Sequence, residues 1–245
     1  MDYQALAIIL AAVAAGSFAK GAVGIGLPTI AVPTTAAFLG VEHAIVVLTI
    51  PVFASNIWVC WRYRKLATEI PNLPVALGFA GLGTLIGSLI LVSLSDKALL
   101  WMLIVWTGAY LLNLAFNPNF RLEGRAAKIA SPFIATFAGI CQGSTGIGGP
   151  VVATWIHSYR LKNEVYVFGS SIMFLTIAVV HLTCVTSLGL MDQERVTQGL
   201  WMIIPTLLFV QVGMWTTRRI STKWFGRAVI GIVIVMEAKL IWQVV

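Results

Sequence analysis

Lys20-Gly21-Ala22-Val23-Gly24-Ile25-Gly26-Leu27-Pro28 returns later in the chain as Gln142-Gly143-Ser144-Thr145-Gly146-Ile147-Gly148-Gly149-Pro150. The two stretches stand 122 positions apart (20 against 142), and Glu42 and Glu164 keep the same spacing. Further along, Gly87 pairs with Gly213, and Ser95-Asp96-Lys97 with Ser221-Thr222-Lys223, now 126 apart. Chance repeats a short glycine pattern in a glycine-rich chain. It is poor at also repeating the proline, the glutamate and the later glycines. The chain therefore divides into a first repeat over residues 1–120, a linker at 121–125 and a second repeat over 126–245. The linker, Arg121-Leu122-Glu123-Gly124-Arg125, is the most polar short stretch of the sequence.

Composition names the solvent. Of 245 residues, 59% are hydrophobic and 10% charged, where a soluble domain carries roughly 25% charged. Mean hydropathy is +0.92. An ordinary soluble enzyme, a disordered chain and a disulfide scaffold are excluded, and a polytopic all-α membrane protein is expected. Cys60, Cys141 and Cys184 lie in apolar stretches at no ligand spacing and read as small buried hydrophobes. The first twenty residues have Asp2 and no Lys or Arg before Lys20, which argues against a cleaved signal peptide.

Each repeat reads as five apolar segments: 5–19, 27–40, 43–61, 73–94 and 98–116, then 126–140, 150–159, 165–190, 197–217 and 228–245. The last three of each are long enough to span. The first two are short: 15 helical residues reach about 22 Å against a hydrocarbon core of about 30 Å. A short pair joined by a glycine break suits a re-entrant hairpin. A hairpin plus three spans makes an odd number of crossings, so the second repeat is inverted relative to the first. Charge agrees. With loops 62–65, 117–128, 160–162 and 218–227 cytoplasmic, 12 of the 16 basic residues face inward, and only Lys97, Arg195 and Lys239 face outward. The net charge of +7 is thus a topology signal rather than a nucleic-acid footprint. Matching loops then lie on opposite sides, 62–65 inside and 188–195 outside, as inverted repeats require. Ten full crossings fit the same charges, and length favours the hairpins. Trp58, Trp61, Trp101, Trp201 and Trp242 lie near segment ends, as lipid-anchoring belt residues do.

Irregular backbone at membrane depth is tolerated only against protein or a water-filled cavity. Broken helices from inverted repeats typically meet at the midplane and build the substrate site. Pro28 and Pro150 suit the first turn of a helix, where the missing N–H has no partner to lose. The N–H groups of Gly24, Gly26, Gly146, Gly148 and Gly149 would then sit at two helix N-termini, which favour anions. Gly21 and Gly143 complete the two motifs. Lys20 adds a cation inside an apolar stretch, costly and therefore a functional candidate. Gln142 takes its place in the second repeat, with the hydroxyls of Ser144 and Thr145 beside it. Asn56 and Ser171 lie on the third segments and are candidate cavity residues. The expected substrate-binding set is thus Lys20, Gly21, Gly24, Gly26, Asn56, Gln142, Gly143, Ser144, Thr145, Gly146, Gly148, Gly149 and Ser171, and it suits a small oxyanion.

The bland alternatives are close helix packing for the glycines and snorkelling for Lys20. Duplication of the motif favours the site. His157 and His181 read as satisfied interior histidines, and Glu42 and Glu164 as favourable charges at span starts. No His/Asp/Glu cluster has metal spacing, and no βαβ context surrounds the glycines, so no metal or other cofactor is expected. An intramembrane enzyme lacks a nucleophile–base pair at any recognised spacing. A membrane scaffold leaves Lys20 and the duplicated breaks unexplained.

Phe18-Ala19-Lys20-Gly21-x-x-Gly24-x-Gly26 with Pro28 and Pro33, repeated as Gly143-x-x-Gly146-x-Gly148-Gly149-Pro150, resembles the sulfite exporter TauE/SafE family of bacterial membrane proteins. The resemblance covers essentially the whole chain, including Gly81, Gly87 and Gly213. Leu27-Pro28 stands where many members carry further glycines. The resemblance implies a secondary transporter in the bacterial inner membrane whose substrate is sulfite or an organosulfonate such as sulfoacetate, with the bilayer and a second copy of the chain as its other candidate partners. An inside-negative potential favours anion exit by about 2.3 kcal/mol per charge per 100 mV. No buried carboxylate stands ready to carry a proton, so export by alternating access is expected, with an uptake permease or a channel as the alternative.

Overall fold

The structure, a computed structural model, describes residues 3–116, 124–157, 159 and 161–216, and positions 231, 234, 238, 241 and 242. The last expected segment (228–245), the loop at 218–227 and residues 121–123 of the linker fall wholly or largely outside the described residues. Among the described residues there are helices and no strands: α1 (Tyr3–Val23), α2 (Leu27–Leu39), α3 (Val41–Tyr63), α4 (Leu73–Ser93), α5 (Asp96–Phe116), α6 (Gly124–Thr145), α7 (Gly149–His157), α8 (Asn163–Ser187) and α9 (Gln193–Thr216), with a 3-10 turn over Arg64–Glu69 after α3.

The expected segments are all found as far as the description reaches, with one correction. α1 and α6 run to 21 and 22 residues, about 32 Å and longer than expected, although the apolar part of α1, Leu6–Ala22, stays shorter than a span. The glycines that were expected to end these helices early do not. Gly21 and Gly143 stay helical because another helix backbone packs against them, and the chain breaks only at Gly24 and Gly146. The second arms remain short, 13 and 9 residues, or about 20 and 14 Å.

Both pairs turn back on themselves. A Cβ on Gly16 would lie 2.8 Å from the carbonyl oxygen of Leu27, and Ile30 clusters with Ala12 and Ala19. In the second pair a Cβ on Gly148 would lie 2.9 Å from Ala138 O, while Trp155 Nε1 donates to Ser131 Oγ at 2.8 Å. Numbers rise along one arm as they fall along the other, so each pair is an antiparallel helical hairpin.

The hairpins are held by exchanged contacts. Gly21 of α1 meets Val210 and Met214 of α9, and Gly213 meets Phe18, Gly21 and Ala22. Gly143 of α6 meets Thr84, Gly87 and Ser88 of α4, and Gly87 meets Ile140 and Gly143. Gly21 and Gly143 stand 122 positions apart in the sequence, and Gly87 and Gly213 126 apart. The first helix of each half therefore packs on the fourth helix of the other, with glycine against glycine. Small residues at a helix crossing let backbones approach closely, which is how helices associate when lipid removes the hydrophobic drive.

Two apolar cores flank this arrangement. One joins Ile9 and Val13 of α1 to α2, α3 and α5, and the other joins α4, α6, α7 and α8 around Trp155, Met173 and Ile177. Outside, large apolar side chains face away from the protein: Trp61, Val105, Phe133 and Trp201 are each about two-thirds exposed or more. Such a surface fits lipid rather than water. Among the described residues, four helical stretches are long and apolar enough to span: Val41–Glu69, Leu73–Ser93, Glu164–Ser187 and Gln193–Thr216. Glu42 lies in the first turn of α3, as the sequence reading had it, and it also pairs with Arg195 at 2.9 Å, tying the start of α3 to the start of α9. Cys60 and Cys141 are buried free thiols.

Candidate functional site

Lys20 lies in the last turn of α1 and is 3% exposed. Its Nζ donates to Asn56 Oδ1 of α3 at 2.6 Å and stands 5.5 Å from the centre of the Phe174 ring of α8. Asn56 Nδ2 in turn donates to Val52 O at 2.8 Å, which fixes the amide with its oxygen toward the lysine. Both partners of the ammonium are neutral, and among the described residues no carboxylate pairs with it. The structure thus holds a buried positive charge with only one strong acceptor for three N–H donors. A buried charge so placed is expensive without an opposite charge.

The turns after α1 and α6 share one design. Gly24 and Gly146 take φ of 82° and 72°, the left-handed region open to glycine. Gly24 N–H donates to Lys20 O at 2.7 Å, and Gly146 N–H to Gln142 O at 3.0 Å. Gly148 N–H donates to the Gln142 side-chain Oε1 at 2.8 Å. These three donors were expected to face an anion; they close the turns instead, because a helix end buried in apolar surroundings must satisfy its own backbone first. Gly26 opens α2 and its carbonyl accepts from Ile30 N–H.

The tips also meet each other and the opposite half. A Cβ on Gly149 would lie 2.8 Å from Ile25 Cγ2 and 3.3 Å from Thr29 Oγ1. Gly24 lies against Val167 and Ser170 of α8, and Ser170 Oγ donates to Gly24 O at 3.3 Å. Gly146 lies against Val32 of α2 and Ile45 of α3.

The remaining candidates are distributed. Gly21 and Gly143 sit in the helix crossings. Ser144 and Thr145 spend their hydroxyl protons on Ile140 O and Cys141 O of their own helix, and Thr145 Oγ1 accepts from Ile147 N–H at 3.3 Å. Ser171 is fully buried and its Oγ has no partner among the described residues.

Beside the second tip lies a small cavity of about 20 Å³, room for about one water molecule. Pro28 and Val32 of α2, Ile45, Leu48, Thr49 and Val52 of α3, Gln142 and Gly146, and Phe174, Ile177, Ala178 and His181 of α8 line it. Of the expected set, Gln142 and Gly146 are on its wall. Lys20 does not line it, but its Nζ stands 5.5 Å from the ring of Phe174, which does. His181 is the residue that sequence reasoning missed. It is 3% exposed; Nδ1 stands 2.8 Å from Ser88 Oγ, and Nε2 has no partner among the described residues. A signal was present: Phe174, Ile177, Ala178 and His181 follow the three- and four-residue spacing of one helix face, so the histidine shares a stripe with cavity residues. The side chain of His157 lies outside the described residues. No group of three metal-ligating side chains occurs among the described residues.

Among known proteins, the family model described as Sulfite exporter TauE/SafE matches residues 8–240. No curated protein and no solved structure matches the chain.

Proposed function

This chain belongs to the sulfite exporter TauE/SafE family, and on that premise we propose that it is a secondary transporter carrying sulfite or an organosulfonate out across the bacterial inner membrane. The observation that carries the reading is the Lys20 ammonium, buried at the first hairpin tip with neutral partners only. At an effective dielectric constant near 20, a monoanion about 6 Å away gains roughly 3 kcal/mol from such a charge. That is enough to select anions over neutral solutes. The cavity beside it has a mostly apolar wall in which Thr49, Gln142 and His181 are the polar side chains. Asn56 holds the ammonium until the anion arrives.

The exchanged packing of Gly21 with Gly213 and Gly143 with Gly87 supports two inverted repeats, each a hairpin and three spans. Alternating access then follows as rocking of one half against the other around the touching tips. The tips meet without an evident pore, which favours a carrier over a channel.

The test is thermal stability of the detergent-purified protein with sulfite, sulfate, thiosulfate, sulfoacetate, taurine and chloride, comparing wild type with Lys20→Ala. A ligand at 100 times its Kd adds about 2.7 kcal/mol. Stabilisation of wild type and not of the variant by one sulfur oxyanion is the expected result. Equal stabilisation of both removes Lys20 from the site.

A further inference from the structure

For a neutral ring, the hydrogen bonds around His181 close in only one way. Ser88 Oγ stands 2.8 Å from Thr84 O and also 2.8 Å from His181 Nδ1. A serine hydroxyl has one proton. Thr84 O is a carbonyl with none to give, so the contact between the two oxygens needs the serine proton. The contact with the ring must then use a proton on Nδ1. The neutral ring therefore carries its hydrogen on Nδ1 and presents Nε2 as a bare lone pair. That nitrogen is buried, unpartnered and belongs to a residue on the cavity wall. Thr49, also on the wall, has already given its hydroxyl proton to Ile45 O at 2.8 Å and retains only lone pairs. Two wall groups are thus acceptors, while an oxyanion such as sulfate offers nothing but acceptors.

We propose that His181 is a specificity-determining residue whose Nε2 accepts a hydrogen bond from the substrate, so that the cavity selects oxyanions that carry a donor of their own. The substrate class is then an anion with one sulfonate-like group and one hydroxyl, ammonium or acid hydrogen, in preference to an anion with no hydrogen to give. This rests on the oxyanion-carrier reading above and narrows it. Ser88 is the positioning residue: by accepting a hydrogen bond from Nδ1–H it leaves Nε2 as the bare nitrogen.

The experiment is calorimetric binding to the detergent-purified protein of two sulfonates of equal heavy-atom number, isethionate with a terminal hydroxyl and propanesulfonate with a methyl in its place. Wild type is expected to prefer isethionate by about five- to tenfold, the worth of one neutral hydrogen bond. In Ser88→Ala the ring proton is free to move to Nε2, and the preference is expected to fall toward one. His181→Phe removes the acceptor and is expected to do the same; melting curves identify any variant that fails to fold, and Ser88→Ala, a loss of one small hydroxyl, keeps the test decisive if His181→Phe does not. Equal binding of both sulfonates to wild type overturns the role of His181 while leaving an oxyanion site standing. A preference that survives in Ser88→Ala overturns the tautomer argument. Binding of neither sulfonate to wild type overturns both this inference and the organosulfonate reading beneath it.

Discussion

Lys20 Nζ and Asn56 Oδ1 are 2.6 Å apart, 36 positions apart in sequence, and both residues are buried. The bond joins the end of α1 to the middle of α3 and is unsymmetrical in what each partner loses. Without Asn56, a buried ammonium is left facing a carbon wall. Without Lys20, a neutral amide oxygen is left.

A bond to a charged group is worth about 1.5–3 kcal/mol, and an orphaned buried charge costs more than an orphaned amide. Asn56→Ala is therefore expected to lower the melting temperature more than Lys20→Met does, although it removes fewer atoms. Thermal unfolding of both variants in detergent measures this. The reverse order would mean that Lys20 has another way to water.

The glycine crossings make a second test. An added Cβ at Gly21 would collide with Val210 O, and one at Gly143 would lie 2.9 Å from Thr84 O, both backbone atoms that must shift. Overpacking of this kind costs about 1–3 kcal/mol. Gly78 of α4 has open space around its Cβ position, so Gly78→Ala is expected to be neutral or stabilising by roughly 0.5–1 kcal/mol. Destabilisation by all three in equal measure would show that helix crossings are not what Gly21 and Gly143 serve.

What the sequence revealed follows from which physics is local. The duplicated glycines, Pro28 and Pro150 mark the turns because left-handed backbone and a helix first turn are properties of single residues. Lys20 stands out because charge in an apolar stretch is costly wherever it folds. The length of α1 was not legible. Gly21 looks like part of the break, and only the backbone of α9 lying on it reveals a helix interior. The use of Gly24, Gly146 and Gly148 N–H groups to close turns was hidden for the same reason, since Gln142 caps Gly148 through a side chain whose direction the sequence does not encode. His181 was read as a satisfied histidine; its Ser88 partner lies 93 positions away and accounts for only one of its two nitrogens.

Gln142 offers a third test. Its Oε1 satisfies the Gly148 N–H inside the second tip. Gln142→Met keeps the volume and removes the acceptor, and a buried N–H left unpaired costs about 1–3 kcal/mol. A lowered melting temperature is expected, together with faster hydrogen exchange confined to 146–149. Unchanged exchange there would mean that another acceptor reaches Gly148.

The proposed inversion is tested by labelling. Single cysteines introduced at Lys65 and Asp192, in a background lacking Cys60, Cys141 and Cys184, are expected to react from opposite sides of the membrane, 65 from the cytoplasm and 192 from outside. Labelling of both from one side would remove the inversion.

Direction is the last test. If a monoanion leaves without a coupled ion, an inside-negative potential of about 100 mV contributes roughly 2.3 kcal/mol per charge, which is about fiftyfold in the outside-to-inside ratio at equilibrium. Proteoliposomes loaded with sulfite or isethionate are expected to empty toward that ratio when a potassium diffusion potential is imposed, and to retain their load when it is reversed. Lys20→Ala is expected to lose this flux while keeping its helical circular dichroism. A proton-coupled uptake permease behaves otherwise: its flux follows an imposed pH gradient and is strictly proton-dependent. That outcome would refute uncoupled export. It would leave the anion site intact and send the search for the proton carrier to the buried groups nearest the cavity.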